Sequence, residues 1–147
     1  MVPIRPVNRL RSERGAELIE FALVFPLLLL VILGIVDFGF LFQRMEVVTN
    51  AAREGARVAV LPGYANADAE ARVTDYITAG GLPPAQLGPV DVTDVTIPVG
   101  TDSVPGKRVS VTYFHNYMFL GPMISWFGGS AFTSVPVRGL AVMRDEG

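Results

Sequence analysis

The sequence has no cysteine and a single histidine, His115, among its 147 residues. The missing cysteines exclude disulfide frameworks, zinc fingers, iron–sulfur sites and thiol nucleophiles, and one histidine cannot build a multi-histidine metal centre. Positive charge is not in excess either. Twelve Lys+Arg stand against 14 Asp+Glu, a net of −2, so the chain lacks the basic surface of a nucleic-acid binder. Ser103, Ser110, Ser125, Ser130 and Ser134 lie in no Gly-x-Ser-x-Gly elbow. Asp91, Asp94 and Asp102 lack calcium-loop spacing, and no glycine-rich phosphate loop precedes a helix. An enzyme, a cofactor, a bound metal, a small-molecule substrate and a nucleic-acid partner are all unexpected.

What the chain has instead is apolarity, 50% of residues with a mean hydropathy of +0.42, and it is unevenly placed. From Phe21 to Val36, 16 residues carry no charged or strongly polar side chain. Past Asp37 the run resumes as Phe38–Gly39–Phe40–Leu41–Phe42. As a helix, the span from Phe21 to Phe42 reaches about 33 Å, enough for a hydrocarbon core of roughly 30 Å. A core helix of a small soluble protein would keep one polar face, and this run has none. A cleavable signal peptide fits less well, since its apolar region is shorter and ends in small residues, whereas three phenylalanines follow Asp37 here.

Charge orients the span. Residues 1–15 carry Arg5, Arg9, Arg11 and Arg14 against Glu13 alone, a net of +3, while residues 43–147 hold 8 basic and 10 acidic groups. The positive end stays cytoplasmic, which predicts a single-pass protein with the N-terminus inside and the bulk of the chain outside. Pro26 removes one backbone bond within the span and predicts a kink or a local loosening. Asp37 reads as a boundary carboxylate that escapes hydrocarbon by snorkelling outward.

Beyond the span the helix is expected to continue over residues 43–61. Leu41, Met45, Val48, Ala52, Gly55 and Ala59 repeat at helical spacing, with Arg44, Glu46, Asn50, Arg53, Glu54 and Arg57 flanking. The small residues Ala51, Ala52, Gly55, Ala56 and Ala59 let another backbone approach, either the chain's own sheet or a second subunit. Pro62–Gly63 should stop the helix.

Residues 62–147 read as a small α+β module. A helix over Ala69–Ala79 is expected, capped by Asn66 or Asp68. Val90–Ile97 should form a strand with a bulge near Asp94, followed by a turn region from Gly100 to Gly106. A second strand should run over Arg108–Tyr117, with Val109, Val111, Tyr113, His115 and Tyr117 on one side. The last, about Phe132 to Arg144, should lie at an edge or carry a bulge because of Pro136. Between them the apolar stretch Met118–Phe127 should either fold back over the sheet or offer Met123, Trp126 and Phe127 as a sticky patch for a partner or a membrane.

Several of these motifs occur in a telling order. Arg14–Gly15–Ala16–Glu17–Leu18–Ile19–Glu20–Phe21 leads into the apolar helix, Asp37–Phe38–Gly39 stands near its outer end, and Ala51–Ala52–Arg53–Glu54–Gly55–Ala56–Arg57–Val58–Ala59 follows. This arrangement resembles the TadE-like family of the Tad/Flp branch of type IV pilin-like proteins, over roughly residues 12–60. The resemblance implies a minor pilin or pseudopilin with a pilin-like fold: a cytoplasmic basic leader (1–15), a transmembrane helix (16–42), an extramembrane extension (43–61) and an extracytoplasmic domain (62–147). It further implies cleavage by a prepilin peptidase between Gly15 and Ala16, with Glu20 and Phe21 as the matching pair. Pro26, Asp37, Gly39, Ala52, Gly55, Ala56 and Ala59 would serve helix packing and assembly. The implied partners are the inner membrane, the peptidase, other minor pilins, the Flp pilin and the assembly platform. The competing expectation is a single-span accessory or scaffold subunit that is never processed.

Overall fold

The computed structural model describes residues 10–126, 128 and 134–145, the side chains at 10–14 and 126 excepted. The Phe127, Ser130 and Phe132 expectations and the arginines of the N-terminal stretch therefore lie outside the described residues or side chains, as does the side chain of Trp126.

One long helix, α1 (Leu10–Ala59), leads into α2 (Asn66–Ala79), a 3-10 turn (Pro84–Gln86), β1 (Leu87–Val99), β2 (Asp102–Asn116), α3 (Leu120–Trp126) and β3 (Ser134–Arg144). The strands form one antiparallel sheet in the order β1-β2-β3, so the expected α+β architecture of a long helix, a short helix and three strands is present.

Helix α1 has two halves. From Ala16 to Val36 its large apolar side chains are exposed, apart from the half-buried Leu33. Those 21 residues are about 31 Å of helix. Among the described residues α1 is the helix long and apolar enough to cross a membrane, with a mean hydropathy of 2.8 in its most apolar window. It continues through Pro26 as one helix. From Asp37 onward α1 is the spine of the folded module. Val48, Ala51, Ala52, Ala56 and Ala59 are buried with Ala69, Val73 and Ile77 of α2 and with Val109, Val111, Tyr113, Val137 and Ala141 of the sheet.

The small residues allow this close packing. A Cβ on Gly55 would lie 2.5 Å from Val73 Cγ2, and one on Gly139 would lie 2.5 Å from the carbonyl oxygen of Val48. The α1 and β3 backbones touch there, so neither side can yield a methyl group's width. The stripe differs from its expected course at its lower end. It runs through Asp37, Leu41 and Arg44, while Met45 is exposed.

Alternation set the sheet faces. Val109, Val111, Tyr113 and His115 on β2 are buried, and Val137 and Ala141 on β3 share that face, while Leu140 and Val142 point away. β3 is an edge strand, which accommodates Pro136. Three local expectations are corrected. The bulge lies between Leu87 and Val90, not near Asp94, where pairing runs without interruption. Val95 and Ile97 simply face the side away from the helices. The turn is only Gly100–Thr101, with Val99 opposite Asp102. Gly100 alone has a positive φ, +63°, the pattern of a type II′ hairpin turn. Finally, α2 is capped by neither Asn66 nor Asp68. Ala65 is the cap residue, and Asp68 reaches back to accept its N–H at 2.7 Å, half of a capping box.

Candidate functional site

The polar residue that interrupts the apolar run organises the junction between the bare helix and the module. Asp37 is fully buried, 0% exposed. It does not snorkel. Its Oδ1 accepts the N–H of Met118 at 3.0 Å, and its Oδ2 accepts those of Phe119 at 3.0 Å and Leu120 at 2.7 Å. These are donors at the start of α3, which a short helix cannot satisfy internally. The carboxylate of α1 thus serves as the cap that α3 lacks in its own sequence, and the start of α3 carries the partial positive charge that favours it. A buried carboxylate is costly unless hydrogen-bonded, and this one holds three charge-assisted bonds.

The segment 118–126 lies at the end of the sheet, where Gly121, Pro122 and Ser125 line a pocket with Asn116 of β2 and Ser134 of β3. Its start is tied to Asp37, and Leu120 and Ile124 line an apolar cleft of about 230 Å³ with Phe38 and Tyr117. Phe38 and Tyr117 meet edge to face at 6.3 Å, and Tyr117 meets His115 edge to face at 4.9 Å. His115 is fully buried, and Arg44, one helical turn above Leu41, contacts its Nδ1. Guanidinium can only donate, so His115 accepts through Nδ1 and carries its proton on Nε2 when neutral. Burial, and then the Arg44 charge, push the His115 pKa below its ordinary value, against a smaller upward pull from Asp37. Arg44 also reaches the Asn116 carbonyl at 3.5 Å. Tyr113, next on the same strand face, donates its hydroxyl to Gln86 Oε1 at 3.0 Å and to the Pro83 carbonyl at 3.3 Å, and burial raises its pKa.

The structure brings together some of the sequence-predicted residues and leaves others apart. Asp37 is in the junction. Ala52, Gly55, Ala56 and Ala59 lie above it, occupied by α2 and the sheet of the same chain. Gly39 faces open space, as does Gly15. Ala16, Glu20, Phe21 and Pro26 are on the bare helix, with the Phe21 and Phe25 rings tilted at 30° and their centroids 5.3 Å apart. Arg44, His115 and Tyr117 were not foreseen as a cluster. The inward phase of His115 was readable, but its partner 71 residues earlier was not. On the outer flank Glu54 pairs with Arg57 at 2.9 Å and Arg72 at 3.2 Å, and these cations lower its pKa, the Arg57 hydrogen bond most.

Chemically, the junction can hold two elements in register. It has no nucleophile beside a base, and among the described residues no group of three or more metal-ligating side chains is placed to hold an ion. No curated protein and no solved structure matches the chain. The matched segment, residues 15–57, begins where the bare helix begins and ends within the last packed turns of α1, and over that segment the chain matches the family model described as TadE-like protein.

Proposed function

We propose that this chain is a minor pilin or pseudopilin of a Tad-type pilus. It would be made as a single-pass protein of the bacterial inner membrane, N-terminus cytoplasmic, and cut by a prepilin peptidase between Gly15 and Ala16. The observation that carries the reading is the coincidence of the TadE-like match with α1: a bare apolar helix, about one bilayer long, that runs unbroken into the spine of a small α+β module. Its action is packing rather than catalysis. The bare half inserts among other apolar helices, and the module presents a fixed surface beside them. Other minor pilins, the Flp pilin and the assembly platform are the partners this implies.

Two further features support processing. Gly15 has nothing within 4 Å of where a Cβ would stand, and glycine is the weakest helix former after proline, so the backbone at that bond is open and easily unwound. Cleavage removes the +3 end and leaves 8 basic against 13 acidic groups, a net of −5. The new amine at Ala16 then lies one turn from Glu20, at i, i+4 spacing, and the carboxylate of the same or a neighbouring subunit can neutralise it at the membrane edge. The competing reading, an unprocessed accessory subunit, draws on one observation: α1 is helical from Leu10 straight through Gly15. Co-expression with and without a prepilin peptidase decides between them. Processing predicts a shortened product that appears only with the peptidase and vanishes in Gly15→Leu. A single product of unchanged length in all three samples would overturn it.

A further inference from the structure

The geometry points to a second membrane contact: the underside of the module, formed by Phe38, Phe42, Met118 and the start of α3, sits in the lipid headgroup region of the leaflet on the module's side. This rests on the reading of residues 16–36 as a membrane span. The occupant is lipid, argued from height, charge and continuity.

Height comes first. If Val36 marks the end of the hydrocarbon, the headgroup zone on that side, about 5–8 Å deep between a core of about 30 Å and a bilayer of about 40–45 Å, takes in Phe38 and Phe40, and Phe42, about 9 Å along the helix, stands at its outer edge. Asp37 is the first residue of that zone, and the N–H groups of Met118, Phe119 and Leu120 are within 3.0 Å of its carboxylate. The hydrogen bonds therefore pin the start of α3 at the hydrocarbon boundary. An apolar segment far along the chain is brought level with the end of the span.

Charge comes second. Between Phe21 and Gln43 Asp37 is the one charged residue, and 117–126 contains none. Asp37 is buried and fully engaged, so this belt presents no exposed charge. The first fully exposed charged residue above it on α1 is Glu46, about 15 Å beyond Val36 and in water.

Continuity comes third. Phe42 and Met118 are 65% and 63% exposed, and with the exposed Phe38 and Phe40 they carry exposed apolar side chains past Asp37, beyond the end of the bare helix. The cleft between Phe38, Tyr117, Leu120 and Ile124 opens within the same belt. Tyrosine at this level is typical of membrane interfaces. The module would thus be seated on the bilayer rather than tethered above it, with Asp37 fixing its tilt and rotation about α1.

The absence of cysteine makes site-directed spin labelling direct. Single-cysteine variants Met118→Cys and Phe42→Cys report the proposed belt, Ile32→Cys the span and Val142→Cys the far face of the sheet. The full chain is reconstituted in vesicles of phosphatidylethanolamine and phosphatidylglycerol, and collisions with oxygen are compared with those with a water-soluble nickel chelate. The expected order of oxygen preference is Ile32, then Met118 and Phe42 together, then Val142, with Met118 several-fold above Val142. If Ile32 prefers oxygen while Met118 and Phe42 match Val142, the inference is wrong and the span stands. If Ile32 itself favours nickel, the span reading fails and the inference fails with it. Dipolar broadening between Met118 labels, lost on dilution with unlabelled chain, would show a second copy in place of lipid and overturn the proposal.

Discussion

Replacing Asp37 by asparagine keeps the shape of the side chain and removes its charge, so it isolates what the carboxylate does. In the native junction two oxygens accept three backbone N–H groups, one through Oδ1 and two through Oδ2. Asparagine has one acceptor oxygen. Placed at the Oδ2 position it retains Phe119 and Leu120, and its amide group then faces the N–H of Met118, donor against donor. Charge-assisted bonds contribute about 1.5–3 kcal/mol each and neutral ones about 0.5–1.5. Because the three share one group they do not add, and a net loss of about 2–4 kcal/mol is expected for the local state in which α3 is docked. At 1.4 kcal/mol per factor of ten, the docked state becomes roughly 30- to 700-fold less favoured. Amide hydrogen exchange of the full chain in lipid nanodiscs reads this directly, since exchange at 118–120 requires the start of α3 to open. Those three amides should accelerate by that factor in Asp37→Asn, while Val109 and Val111 in the central strand keep their rates. Unchanged exchange at 118–120 would refute the capping role. An equal acceleration at Val109 and Val111 would refute its local character.

Three further predictions concern the packed half. Gly139→Ala should destabilise the module more than Gly55→Ala, because its new methyl meets the α1 backbone rather than a side-chain terminus. Overpacking of about 1–3 kcal/mol corresponds to a Tm drop of about 4–8 °C per kcal/mol for a module of this size, and equal drops would contradict the backbone contact. Gly39→Ala, with nothing within 4 Å, should not lower the Tm. His115 has a folded-state pKa below its ordinary value of 6.5. The unfolded chain therefore binds more protons between the two values, so stability is complete above about 6.5 and falls as pH drops toward the folded pKa. The urea midpoint should decrease from pH 7.5 to pH 5, and it should decrease less in His115→Gln, which keeps an acceptor for Arg44 but does not titrate. A decrease of the same size in the variant would remove His115 from the account.

Much of this architecture was legible because simple periodicities governed it. The long bare helix followed from an uninterrupted apolar run, the inward face of β2 from alternation at Val109–His115, and the spine of the module from small residues at helical spacing. The misreadings share a physical cause. Local pattern cannot see a partner distant in sequence. Asp37 was conspicuous as a carboxylate in an apolar run, and solvent was the default escape, but its ligands are backbone N–H groups 81–83 residues away. Arg44 was placed on the polar flank by type, yet the buried His115 offers it an acceptor and draws the stripe through 44 rather than 45. The change of phase at Asp94 looked like a bulge. It marks instead the point where the exposed end of a regular hairpin turns its apolar side chains, Val95 and Ile97, to the opposite face. In the junction, the carboxylate and the inward phase of His115 were readable from the sequence, and the partners of both required the fold.

On the proposed function, the long apolar helix is delivered to the membrane with a removable basic end. The most direct test is the N-terminal sequence of the protein extracted from the membranes of cells that contain a Tad prepilin peptidase. The account predicts a first residue of Ala16, followed by Glu17–Leu18–Ile19–Glu20–Phe21. A start anywhere upstream of Gly15, in protein that is otherwise intact and membrane-embedded, would contradict it.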